Sequence, residues 1–236
     1  HYSTIETAPI FFFLLGAGLS LAREESGEKE NIKNKFSYIL IVLFLAVLYF
    51  PLQKFNADYL FMKGLRETES GKAIGYLERA VKKNSHAENY YLVLNGYYVE
   101  KGESEKNNLY FQKALDLLIE AARIIPLDYR ITYQLGETYL KIANYAENKD
   151  YVYMQAAAAY QRTLELYPNF PDAHLKIGVA YAHLSKEEDA LKSWNKCFEL
   201  KKTNAECYYN LSVLYEKRGE KEKAKENYEK YLEVRE

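Results

Sequence analysis

Apolar residues are laid along this chain in two different ways. Up to about residue 55 they come in unbroken runs. Ala8 to Ala22 reads APIFFFLLGAGLSLA and Phe36 to Leu52 reads FSYILIVLFLAVLYFPL, and neither run holds a charge. Leu, Ile, Val and Phe occupy every face of Ile39 to Leu48, whereas a helix on the surface of a soluble domain keeps a polar stripe. As a helix the second run spans about 25 Å, just enough for a bilayer core of about 30 Å with snorkelling flanks. The first run is shorter and extends through Ile5 and Thr7. The pattern predicts two membrane spans, about 8–22 and 36–52, joined by the charged connector REESGEKENIKNK from Arg23 to Lys35. Gly16, Ala17 and Gly18 would let another helix approach the first span closely.

From residue 56 onward the apolar positions recur at helical spacing with charges between them, which predicts amphipathic helices. They also repeat. TYQLGETYLKIA from Thr132, HLKIGVAYAHLS from His174 and YYNLSVLYEKRG from Tyr208 superimpose. Each precedes a second amphipathic stretch: AAAAYQRTLELYP from Ala156, DALKSWNKCFELKK from Asp189 and KAKENYEKYLEVRE from Lys223. Gly178 and Ser212 are 34 residues apart, and Gly136 and Gly178 are 42 apart, the same period with an insertion of eight. A helix pair repeated at this period cannot bury its own apolar face, so stacking must supply the core.

These residues resemble the tetratricopeptide repeat family, whose 34-residue unit carries Leu-Gly at positions 7 and 8, Tyr at 11, Ala at 20, an aromatic at 24, Ala at 27 and Pro at 32. The fourth repeat matches with Ile177, Gly178, Tyr181, Ala190 and Trp194, and departs at Cys197 and Lys202. The fifth has Leu211, Ser212, Tyr215, Ala224 and Tyr228, with Tyr231 departing; the third has Leu135, Gly136, Tyr139, Ala156, Tyr160 and Pro168. The second is assigned on Gly96, Ala114, Leu118, Ala121 and Pro126, and the first on Gly64, Ala73, Leu77 and Ala80 with Ser85 in place of Pro. Small residues belong where two helices approach closely, and the aromatics fill the space beside them.

The expected fold is therefore all-α. Two N-terminal transmembrane helices (residues 1–55) precede a solenoid of about five repeats over 56–236, at about 56–87, 88–128, 129–170, 171–204 and 205–236. In the family, the first helix of each repeat lines a groove. Carried onto this sequence, the groove positions are Tyr90, Val93 and Tyr97; Arg130, Tyr133 and Glu137; Leu175, Val179 and His183; and Tyr209, Val213 and Lys217. The resemblance implies protein or peptide partners. The Lys and Asn clamp of chaperone-binding members is missing at Tyr133, Glu137, Leu175 and Val179. Abundant tyrosine, 24 residues in all, also suits a glycan partner, although about half of it is expected to serve packing.

Charge and chemistry narrow the picture further. Lys plus Arg total 32 and Asp plus Glu total 33, so nucleic-acid binding by phosphate neutralisation is disfavoured. No GxSxG, Gly-rich phosphate loop, HExxH or CxxC occurs. No catalytic residue, metal site or cofactor is expected. His174 and His183 are nine apart and so do not share a helix face as a ligand pair would. Cys197 and Cys207 are too few for a disulfide framework; they would pair only with Cα atoms within about 7 Å.

The stretch IETAPIFFFLLGAGLSLA with its connector, second span and repeats is similar to the C-terminal end of O-antigen ligase/polymerase-like membrane proteins. That resemblance implies the tail of a glycan-transfer enzyme whose catalytic Arg and His lie upstream of His1. The other reading is a stand-alone membrane-tethered scaffold for envelope or secretion complexes. Four basic residues in the connector favour a cytoplasmic connector and an extracytoplasmic array by the positive-inside rule.

Overall fold

The computed structural model describes residues 29–235, which form ten helices joined by short turns. We number them α1 (Lys29–Arg66), α2 (Ser70–Lys83), α3 (Glu88–Glu105), α4 (Asn108–Ile124), α5 (Tyr129–Ile142), α6 (Lys149–Leu166), α7 (Pro171–His183), α8 (Glu187–Leu200), α9 (Ala205–Lys217) and α10 (Lys221–Arg235). Consecutive helices pack as pairs, and each pair stacks on the next. Contacts also link α3 with α5, α5 with α7 and α7 with α9, with no matching row among α4, α6, α8 and α10. The odd-numbered helices therefore form the inner, tighter row of a helical solenoid and the even-numbered ones from α4 onward the outer row.

The turns are written locally. The Asn107, Asp128 and Asn148 side chains accept backbone N–H groups of Leu109, Arg130 and Tyr151 at 2.9–3.1 Å, satisfying donors that a helix start leaves open. Pro171 occupies the first turn of α7, where its missing N–H costs nothing. Lys106, Ser185 and Gly219 take left-handed backbone angles at the turns that follow α3, α7 and α9, a conformation that reverses the chain within a few residues.

Stacking is set by how closely the two helices of a pair approach. A Cβ at Gly178 would lie 2.4 Å from the Trp194 ring, and one at Gly136 would lie 2.6 Å from the Tyr160 ring. At Gly64 it would meet Leu77 at 2.9 Å. Repeat two makes the same kind of contact at Gly102, where a Cβ would lie 2.7 Å from the Phe111 ring, but the expected register at its position 8 is wrong by one residue. Gly96 is exposed and faces open space. Asn95 beside it is fully buried and donates to the Ala114 carbonyl at 3.4 Å. Its Oδ1 accepts from the Gln134 amide at 3.1 Å, and the Thr138 hydroxyl lies 3.1 Å from the same oxygen. Leu94, Asn95 and Tyr98 thus hold positions 7, 8 and 11, with a satisfied amide in place of glycine.

Tyrosine fills much of the core. Tyr90, Tyr91, Tyr98, Tyr153, Tyr160 and Tyr208 are buried. Tyr98 and Tyr160 carry their hydroxyls to Glu78 and Glu137 at 2.5 Å, and Tyr90 donates to Asp58. The ring supplies apolar area while the hydroxyl finds an acceptor at the edge. Cys197 on α8 and Cys207 on α9 are both fully buried and joined by a disulfide, with Cα atoms 6.3 Å apart. The pairing that the sequence left open is made, and it ties repeat four to repeat five.

The N-terminal part departs from expectation. The boundary expected at residue 55 falls inside α1, which runs unbroken through Pro51. Lys29 to Lys35, expected in the connector, begin the same helix. Among the described residues, no helix is long and apolar enough to cross a membrane. Within the expected second span, the side chains of residues 36, 38, 42, 45, 46 and 50 lie outside the description, and the expected first span, 8–22, lies wholly outside it.

Candidate functional site

The inner row presents its surface through positions that the helix period repeats from pair to pair. The structure brings Val179, His183, Val213 and Lys217 together in one cleft of about 250 Å³ between α7 and α9. Val179, Val213, Leu214 and Trp194 are the apolar part of its lining. Its rim is charged: Lys217 Nζ sits 2.7 Å from Glu187 Oε1. The His183 ring stacks on Tyr153 at 4.1 Å between centroids, nearly coplanar. Partial desolvation under the Tyr153 ring and the charge of Lys149 push the His183 imidazole below its ordinary pKa, because both disfavour the cation.

A second cleft, about 410 Å³, opens at the other end of the same helices. Tyr133, Leu175, Asp172, Lys176, Lys201 and Glu206 are among its lining residues. Tyr133 is held protonated well above the usual phenol range by burial and by the nearby carboxylates of Glu137, Asp172 and Glu206. Glu137 accepts the Tyr160 hydroxyl and faces Lys176 Nζ at 3.7 Å. Tyr209 and Val213 line a third cleft, about 390 Å³, with Tyr228 of α10. These three clefts follow one surface from repeat three to repeat five.

Other expected groove residues are placed differently. Tyr90 is buried, stacked on Phe61 at 4.6 Å, and cannot meet a partner. The register shift at Asn95 explains it, since moving by one residue turns a helix side chain through about 100°. Val93 and Tyr97 are half-buried against the core of the first two pairs. The shift assigns the corresponding groove positions to Asn89, Leu92 and Gly96. Leu175 lines the second cleft but is itself almost fully buried, so it serves as floor. Arg130 is exposed, but its guanidinium already pairs with Asp128 at 2.5 Å and Glu88 at 3.0 Å.

The outer row carries a cavity that reading by groove position misses. It measures about 580 Å³ between α6 and α8, and Gln161, His174, Tyr181, Lys192 and Lys196 are among its lining residues. His174 Nε2 lies 2.9 Å from the Pro168 carbonyl, and burial lowers the imidazole pKa. Only the period of the second helices could have signalled it. Among the described residues, no cluster of His, Cys, Asp or Glu suits a metal ion.

Paired helices, a tight inner row and a surface of apolar floor with charged rim define a helical-repeat binding module. Comparison with known proteins gives the family. Residues 153–196 and 205–236 match the tetratricopeptide repeat. The solved structure of MamA from Desulfovibrio magneticus RS-1 superimposes with a TM-score of 0.63 at 16% identity, covering 78% of this chain and 95% of that one. YrrB, described as a TPR protein with an unusual peptide-binding site, has a TM-score of 0.56 at 23% identity, covering 75% of this chain and 82% of its own. Among curated proteins, a UDP-N-acetylglucosamine–peptide N-acetylglucosaminyltransferase of Giardia intestinalis is 36% identical over 97 residues. That match covers 41% of this chain and only 6% of the transferase. The array is a tetratricopeptide repeat solenoid, an all-α protein-interaction module.

Proposed function

We propose that the inner surface of repeats three to five docks an extended segment of another protein. We further propose that residues 1–55 hold the array at a membrane, with the array outside the cytoplasm. On this reading the chain is the tail of a glycan-transfer membrane protein of the O-antigen ligase/polymerase-like kind, and the array positions envelope proteins near the growing glycan. The observation that carries the docking reading is the run of clefts, where Val179, Val213 and Trp194 offer apolar pockets between charged rims. Apolar pockets flanked by charge suit a peptide with alternating anchors. YrrB, whose array superimposes on this one, carries a peptide-binding site. The membrane reading draws support from exposed Ile39, Ile41 and Leu43 on α1. The Cys197–Cys207 disulfide supports an oxidising compartment.

A photo-crosslinking residue placed at Val213 should yield one discrete protein adduct in the source cells, and the same residue at Lys192 on the outer row should not. Equal smears from both positions would remove the docking reading. For topology, Lys221→Cys and, separately, Asn31→Cys are introduced into the chain. An impermeant thiol reagent should label position 221 and not position 31 in intact cells. Labelling of 31 alone would place the array in the cytoplasm. A glycan rather than a protein adduct from Val213 would make the groove a sugar site.

A further inference from the structure

The C-terminal half of α1 has two apolar faces, and the array uses one. Ala57, Leu60, Phe61 and Gly64 are buried, and a Cβ at Gly64 would meet Leu77 of α2. At 3.6 residues per turn the opposite side carries Leu52, Phe55, Tyr59 and Met62. These are 64%, 72%, 58% and 46% exposed. Their spacing alternates three and four, on a stretch where the intervening positions Gln53, Lys54, Asn56 and Asp58 are polar. Contact with lipid or a single groove requires no such regularity. It is the 3.5-residue seam that keeps two supercoiled helices in contact.

We infer that two copies of this chain associate through parallel α1 helices, with Leu48, Leu52, Phe55, Tyr59 and Met62 at the seam. Charge selects the direction. With Leu52 and Tyr59 at a positions and Phe55 and Met62 at d, Asp58 falls at g and Lys63 at the following e. Both are exposed. In a parallel pair, g of one helix faces the next e of the other. Asp58 then opposes Lys63 twice by symmetry. An antiparallel pair would set Asp58 near Asp58 and Lys63 near Lys63. Asp58 Oδ1 accepts the Tyr90 hydroxyl and Lys63 rests over the Tyr76 ring at 4.5 Å, so α2 and α3 hold both at the edges of the seam. Because the seam lies opposite the α2 contact, the two arrays point away from each other and neither groove is covered. The inference goes beyond the docking reading and rests on a different surface.

The test uses the full chain in mild detergent. Mass by light scattering should be twice 27.6 kDa. Under mild oxidation Phe55→Cys should cross-link to a covalent dimer several-fold more than Lys54→Cys, which lies off the seam. Phe55→Asp with Tyr59→Asp should run as a monomer with unchanged helical circular dichroism. Asp58→Lys should weaken association, and adding Lys63→Asp should restore it. A monomeric wild type, equal cross-linking at 54 and 55, or a charged variant that stays dimeric would each overturn the inference. Should the charged variant unfold, the two cysteine variants decide alone.

Discussion

Where repeat four has Gly178, repeat two has Asn95, and the two residues meet a close helix approach with different chemistry, although Gly102 of repeat two also leaves room for the Phe111 ring. In repeat four a glycine lets the Trp194 ring lie against the α7 backbone, with Nε1 donating to the Leu175 carbonyl at 3.0 Å. In repeat two a fully buried asparagine occupies the equivalent place and binds groups on α4 and α5. The apolar answer depends on space. The polar answer depends on every hydrogen bond being made, since an unmet buried amide costs more than the bond contributes. A small-residue motif records the first kind of solution and overlooks the second.

The largest effect should come from removing the space. Gly178→Leu puts side-chain atoms where Trp194 now lies, and because even a Cβ has no room there the cost should exceed about 3 kcal/mol, the upper end of usual overpacking. Gly96→Ala, in an exposed helix interior, should instead gain roughly 0.5–1 kcal/mol. Equal denaturation midpoints for the two variants would erase the distinction between these glycines. Next in size, Cys197→Ser with Cys207→Ser opens a short loop whose closure contributes about 3 kcal/mol in the chain-entropy account. Hydrogen exchange should show the loss concentrated in α9 and α10; uniform loss along the array would argue against a local tie. Asn95→Ala strands the Gln134 amide and should cost about 1–3 kcal/mol. If Asn95→Ala proves neutral in urea, the polar solution has no energetic meaning.

The smallest effect is with pH. His174 and His183 both have folded pKa values below the ordinary 6.5. The unfolded chain therefore binds more protons than the folded one below about 6.5, so stability is complete above that value and falls with acidification toward the lowered folded values. Between pH 7.5 and 5.5 the melting temperature should drop, and the drop should shrink in the double variant His174→Gln with His183→Gln. An identical slope in that variant would assign the pH response to other groups.

The repeat period, the all-α class and the glycine–aromatic contacts of repeats three and four are legible in the sequence, because each is a local pattern of residue size at fixed spacing. Val179, His183, Val213 and Lys217 follow from that register and meet in one cleft. Asn95 was not legible: its amide is tolerable only because Gln134 and Thr138 arrive from another repeat, and no spacing within repeat two announces them. The Tyr90 assignment failed for that reason, as one residue of register turns a side chain from groove to core.

The sequence by itself determined where helices form, how often they repeat and which residues are small enough for close approach. These depend on backbone propensity, apolar period and side-chain volume, all carried by neighbouring residues. The tertiary structure alone decided that Cys197 meets Cys207, that Asn95 is satisfied, that α1 continues unbroken into the first repeat and that Phe55, Tyr59 and Met62 stay exposed on it. Each of these depends on groups brought together from separate helices, and the geometry of their approach exists only once the pairs are stacked.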